Sequence, residues 1–556
     1  MASTSTTEPT MKHSPSACHC PCGAAASSKP SPRSAVTRRR FLYGVGAATV
    51  GGVALSTLDP GAAGDMGPPR RGPMPAAGQP DPLLQGAAWR DLVLVELIPA
   101  WQAHVIDSRH GGFHTSLSRD WQPRAPREKL PAMISRQVFS FTAAYLLSGD
   151  DRHLEVARHG VEYLLAHAWD DRYGGWYDRL TVDGEVLDST KTAANELYTN
   201  VGLALYVFAT GDPQARQRVE ASLRIRRTRA ADPDEGGYFS QLTRELTPAD
   251  DRRKLKHAHF GYVGSLIHLF QVDRDPELLA WWRELMDLTR RRMTDAELGW
   301  VYGFDVPLDR AWRLTDPAAH AYINIGGQLT AALAYVRLYE QSGDAVYLEA
   351  ARSLARLIER GWDDEHGCWL DQVQRLSPHA PHPDASVQWW IHIYGAFLDL
   401  RLHAIDGDPA RLRRFARAER FYRSHFLDPQ YGGGFAQLKR DGALADDGAK
   451  AAPWHTSYHD VEHGLVNYLL LSLYVNGEPV TLHFRFEKGA ASRRYVSLVD
   501  DPRVRVRSVT VDGEPWADFH AEERSVWLPA SSRTRRVAVT LAPPSRPPAV
   551  TDARKE

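Results

Sequence analysis

The chain has 556 residues, 43% hydrophobic and 24% charged, with 67 basic against 68 acidic side chains. That balance excludes a generally basic nucleic-acid binder and a highly acidic, solvating chain. The body of the chain holds no run of about 18 apolar residues, which excludes a multi-span membrane protein. Sixteen Trp and 21 Tyr suit sugar sites, since each offers an apolar face with a polar handle, but they equally suit the core of a large helical protein.

Residues 1–58 read as an address. A Ser/Thr/Pro-rich stretch leads to Thr37–Tyr43 (T-R-R-R-F-L-Y) and then a Gly/Ala-rich, weakly apolar run to Leu58. Paired arginines ahead of such a run predict a twin-arginine export signal, and so a periplasmic or extracellular protein, anchored in the membrane if the signal stays uncleaved. The export machinery is then a partner. Cys18, Cys20 and Cys22 lie upstream of the signal, and Cys368 alone remains in the body, which leaves no intrachain disulfide there. Residues 59–82, rich in Gly and Pro, read as a linker.

Residues 83–474 carry six repeats. Each has an Asp, a short turn and one to three glycines, as in I-D-S-R-H-G-G-F (Ile106–Phe113), W-D-D-R-Y-G-G-W (Trp169–Trp176) and L-D-P-Q-Y-G-G-G-F (Leu427–Phe435). The marker glycines stand at 112, 175, 237, 299, 367 and 433. A fixed period of this size marks a repeat architecture. Each unit predicts two helices. The one after the glycines is apolar almost all round and must be buried; its neighbour is amphipathic. Six such pairs predict a mainly α fold, a closed (α/α)6 barrel. From Val475 the pattern alternates with period two, which predicts about five strands of a small β-sandwich-like domain over 475–545, followed by a loose tail, 546–556.

In a helical barrel the pocket forms where the inner helices begin. At that register stand Arg136, Tyr198, His257 and His259, Asn324, Trp389, Trp390 and His392, and His455, His459 and Glu462. Polar groups on otherwise apolar helices cost free energy unless something satisfies them. Histidines there suit proton transfer near neutrality. His455, His459 and His463, four residues apart beside Asp460 and Glu462, also leave a metal site open, although no metal or cofactor is assigned.

These residues carry a family resemblance. D-S-R-H-G-G-F (Asp107–Phe113), S-R-Q-V-F-S-F (Ser135–Phe141), W-W-I-H (Trp389–His392) and G-G-G-F…W-H-T-S-Y-H (Gly432–His459) resemble the N-acylglucosamine 2-epimerase family, which includes cellobiose 2-epimerases and mannose isomerases. The resemblance implies an (α/α)6 barrel and a carbohydrate substrate. It also implies a proton moved beside the sugar carbonyl through an enediol, with two histidines as acid and base. It makes Arg136 a sugar-binding residue and His459 a catalytic one. His259 and His392 stand as further catalytic candidates. Tyr198, His257, Asn324, Trp389, Trp390, His455 and Glu462 stand as substrate-binding candidates.

The chain departs from the family pattern where the second histidine is expected. Where the family has G-H-x-I-E, this chain has G-G-Q-L-T, with Gly327 and Thr330 at the two functional positions; Tyr262 and Tyr394 replace glutamates in repeats three and five. A lyase or hydrolase on the same barrel, or a glycan-binding protein without turnover, stays open as an alternative.

Overall fold

The structure, a computed structural model, describes residues 81–249, 254–302, 308–315, 321–376 and 384–544. The export signal, Cys18, Cys20 and Cys22, almost all of the linker and the tail lie outside the described residues. The described part forms one compact unit.

Six inner helices make a ring: Pro131–Ser148, Ala193–Thr210, Val263–Asp273, Ile325–Ser342, Trp389–Asp406 and Tyr458–Leu470. Their apolar sequences leave no solvent face, and residues 131–147 are buried without interruption. The first and second pack closely because Gly202 has no side chain; a Cβ there would lie 1.8 Å from the Ser135 carbonyl oxygen. Outer helices such as Pro213–Arg229, Pro276–Arg292 and Ala345–Ile358 wrap this ring. Four of the turns from inner to outer helix end on a left-handed glycine followed by an Asp whose side chain caps the next helix: Asp150, Asp212, Asp344 and Asp408.

The repeated Asp has a structural task. In all six repeats its carboxylate accepts backbone N–H groups two and three residues on, which fixes the glycine turn. In five it also pairs with an arginine of the following repeat: Asp170 with Arg244, Asp232 with Arg310, Asp295 with Arg375, Asp363 with Arg440. The fifth pair, Asp428 with Arg119 at 2.9 Å, ties repeat six to repeat one and closes the ring. Val182 occupies the arginine position facing Asp107, whose carboxylate is held by Lys129 at 2.7 Å.

After the last inner helix a π-helical turn, Leu471–Asn476, carries the chain on, so residues 475–479 are not strand. Seven strands follow among the described residues. Four form an antiparallel sheet in the order Val480–Phe486, Arg535–Ala542, Arg505–Val511, Glu514–Trp516; three form a second, Ser492–Tyr495, Ser525–Leu528, Phe519–His520. This part packs on the C-terminal ends of the inner helices, with Glu487 N–H donating to Thr210 C=O. Asp500 enters the barrel end. It accepts from Gln341 Nε2 at 2.8 Å and Gln271 Nε2 at 3.3 Å and pairs with Arg337.

Candidate active site

The N-terminal halves of the inner helices enclose a cavity with about 900 Å³ of empty space, part of it open to solvent. Tyr198, Lys256, Trp390, Tyr394, Tyr458, His459 and Glu462 supply its polar and aromatic wall; His268, Arg337 and Arg401 lie on its floor. Below them Leu498 and Val499 line a continuation of the same space. Residues 496–501, in the loop between the two C-terminal sheets, therefore close the barrel end under the cavity.

His459 and Glu462 form the centre of the wall, three residues apart on one helix and so on one face. The His459 Nδ1–H donates to Glu462 Oε2 at 3.1 Å. The same carboxylate accepts from the Tyr394 hydroxyl at 3.3 Å and the Tyr458 hydroxyl at 3.2 Å. With Nδ1 carrying the proton, Nε2 keeps its lone pair, and it makes no hydrogen bond among the described residues. Burial, and then the positive charges of Arg136 and Lys256, hold the His459 pKa well below the usual imidazole value. The ring is neutral near pH 7, as a base must be. Burial pushes Glu462 upward, against the pull of His268 and the two tyrosine hydroxyls.

Tyr198, Trp390, His459 and Glu462 thus line one cavity. Other candidates stand near it. The Arg136 guanidinium lies 3.9 Å over the Tyr198 ring and donates to the Trp454 carbonyl. His257 packs edge-on to Tyr198 at 6.1 Å. Trp389 is buried against His455 at 4.9 Å and His459 at 5.6 Å, in support of the wall rather than on its surface. The His455 Nδ1–H donates to the Ala449 carbonyl, 3.0 Å away, and its Nε2 has no hydrogen-bond partner among the described residues.

Three candidates are corrected. His259 accepts the Tyr238 N–H at Nε2, 3.2 Å, and its Nδ1–H donates to the Leu255 carbonyl, 2.9 Å. His392 accepts the Trp369 N–H at Nδ1, 3.3 Å, and its Nε2–H donates to the Ala418 carbonyl, 2.8 Å. Both rings are saturated by backbone and carry no free nitrogen for substrate. Asn324 caps its helix by accepting the Gly327 N–H at 2.9 Å. Glu196 and Gln328 do the same work as the two histidines, accepting the Trp176 and Val301 N–H groups at 2.7 and 2.8 Å. In repeats two to five the recurring polar position is a lock between the start of the inner-helix segment and the turn behind it. Burial demanded a partner, and the backbone provided it.

The three histidines of the sixth inner-helix segment do not converge on one point. His455, His459 and His463 turn to three different partners, Ala449, Glu462 and Glu419. Among the described residues only Asp363, Glu365 and His366 bring ligand atoms within metal-binding reach of one another. The Asp363 carboxylate there is already engaged by Arg440 and His366.

Sequence reading missed Lys256, His268, Arg337 and Tyr458. Lys256 sits one residue from His257, inside K-L-K-H-A-H. The third inner helix begins late, after two 3-10 turns, Lys256–Ala258 and Phe260–Tyr262, and this local unwinding shifts the register by which a pocket residue would be chosen.

Six helical hairpins closed into a ring make this an (α/α)6 barrel, the fold of the solved structures it superposes on. Residues 111–462 match the family model "N-acylglucosamine 2-epimerase (GlcNAc 2-epimerase)", and the chain belongs to that family of sugar 2-epimerases, enzymes of the isomerase class. It is 24% identical over 395 residues to the cellobiose 2-epimerase of Bacteroides fragilis, an alignment covering 68% of this chain and 97% of that protein. It is 26% identical over 386 residues to the N-acylglucosamine 2-epimerase of Bos taurus, covering 67% and 88%. The cellobiose 2-epimerase structure from Spirochaeta thermophila superposes with a TM-score of 0.63 at 20% identity, over 69% of this chain and 96% of that one. The strands over 480–542 lie beyond the family match.

Proposed function

We propose that this protein epimerises or isomerises a reducing sugar at the carbon beside its carbonyl, through an enediol, with His459 as the proton-transfer base. The observation that carries this reading is the His459–Glu462 pair. Glu462 holds the Nδ1–H, the tyrosine hydroxyls fix Glu462, and a neutral Nε2 remains at the cavity. Arg136 and Lys256 supply positive charge near the base, where an enediolate oxygen would need it. Glu462 is the one carboxylate among the described cavity-lining residues, so the two-carboxylate arrangement of a glycosidase finds no second member. We also propose export by the twin-arginine route, with the body folding in the cytoplasm before export; this rests on residues 37–58 and on a body whose single cysteine, Cys368, can form no intrachain disulfide.

The test is incubation of the protein without residues 1–58 in D₂O with aldoses, N-acylhexosamines and β-1,4-disaccharides. Deuterium is expected at the carbon beside the carbonyl, with loss of about 10³-fold in rate on His459→Ala. No deuterium in any reducing sugar would overturn the reading.

A further inference from the structure

Inverting a carbon requires a proton to leave one face and another to arrive at the opposite face. His459 serves one face. Repeat four, where the family resemblance places a second imidazole, has Gly326 and Gly327. The Trp390 ring packs against Gly326, its Cη2 2.1 Å from where a Cβ on that glycine would stand.

Over that same Trp390 ring, 4.9 Å from its centre, lies the ammonium group of Lys256. Lys256 is almost wholly buried and lines the cavity with His459 and Trp390. Its position follows from the unwound start of repeat three. Lys256 lies in the first 3-10 turn, and its stem packs along Gly261, where a Cβ would lie 3.3 Å from Lys256 Cγ. The ring order gives the decisive relation. Successive repeats pack on one another around the ring, repeat four's inner helix meeting repeat three at its second 3-10 turn and its outer helix, and the sixth inner helix packs back on the first, so repeat three stands across the barrel from repeat six. Lys256 and His459 therefore project from opposing walls into one cavity. They are also close enough for the Lys256 charge to act on His459.

We infer that Lys256 is the second proton carrier of the epimerisation, in place of the histidine that repeat four lacks. The inference rests on the enediol reading above. His459 Nε2 takes the proton from the carbon beside the carbonyl. The C–H electron pair becomes the C=C bond of the enediolate, and the carbonyl oxygen takes the negative charge. The Lys256 ammonium then gives a proton to the opposite face of that carbon; the C=C pair forms the new C–H bond and the carbonyl is restored. His459 is left as imidazolium and Lys256 as amine. Loss of one proton to water and gain of another resets the pair.

Exchange without inversion separates this role from every other. With a sugar that the wild-type protein epimerises in D₂O, Lys256→Met is expected to keep deuterium entry at that carbon while epimer formation falls about 10²-fold. Lys256→Arg, which keeps the charge but holds its proton too tightly to give it up, is expected to behave like Lys256→Met and not like wild type. It also controls for folding, since it preserves size and charge. Epimerisation retained in Lys256→Arg would assign Lys256 an electrostatic role and overturn the inference. So would equal loss of exchange and epimer in Lys256→Met, or retention of both. A wild-type protein that makes ketose without epimer would overturn it as well. A wild-type protein that exchanges no deuterium would instead fail the enediol reading itself.

Discussion

Repeats five and six place a histidine near the start of the inner helix, and the two residues do unlike work. His392 has both ring nitrogens tied to backbone, one to the turn behind the helix and one to the outer helix of its repeat. His459 has one nitrogen tied to a side chain and the other left for the cavity. The difference teaches how a buried polar group should be judged. A polar residue on an all-apolar helix must find a partner, and the partner can be the protein's own backbone or the substrate. Displacement by one helical position decides which. His392 points back toward its turn, as do Glu196, His259 and Gln328, whereas His459 faces the axis.

Substitutions can break this contrast or sharpen it. Glu462→Gln removes the acceptor that fixes the Nδ1–H tautomer and the ring orientation of His459, and is expected to lower the exchange rate about 10²-fold with binding largely kept, measured by steady-state kinetics in D₂O. His392→Leu is expected to do the reverse. It strands the Trp369 N–H and the Ala418 carbonyl in the core, costing about 2–4 kcal/mol in a denaturant titration, while the surviving folded protein keeps its turnover.

The pH profile reports on the same base. Because the folded pKa of His459 lies below 6.5, the acid limb of the rate should fall below that value, with no loss of rate between pH 8 and 6.5. Arg136→Gln removes a positive neighbour and should move the limb up toward 6.5, seen in the profile of kcat/KM. The smallest effect is expected at the repeat that lacks its arginine. Val182→Arg would supply the sixth Asp–Arg pair, at Asp107, and add about 0.5–1 kcal/mol of stability without altering turnover.

Much of the fold was legible because its signals are local. The glycines at 112, 175, 237, 299, 367 and 433 and the Asp ahead of each fix turns, and apolar patterning all round one helix of each pair fixes which helix is inside. The arginine ring was not legible, since Arg119 and Asp428 are 309 residues apart and neither alone looks unlike a surface charge. The site was legible in part. His459, Glu462, Trp390 and Tyr198 lie where the register places them. His259, His392 and Asn324 were misread because a sequence shows that a polar group is buried but not which way its side chain turns. Lys256 escaped because the third helix starts in 3-10 turns, where a period of 3.6 residues no longer counts positions correctly.

The most direct test applies one substitution to both histidines. Repeat four already uses a glutamine, Gln328, for the lock that His392 makes in repeat five. His392→Gln is therefore expected to keep both the fold and deuterium exchange into the sugar, while His459→Gln keeps the fold and loses exchange by about 10³-fold. Loss of exchange in a folded His392→Gln protein, or its survival in His459→Gln, would contradict the division of labour between the two positions.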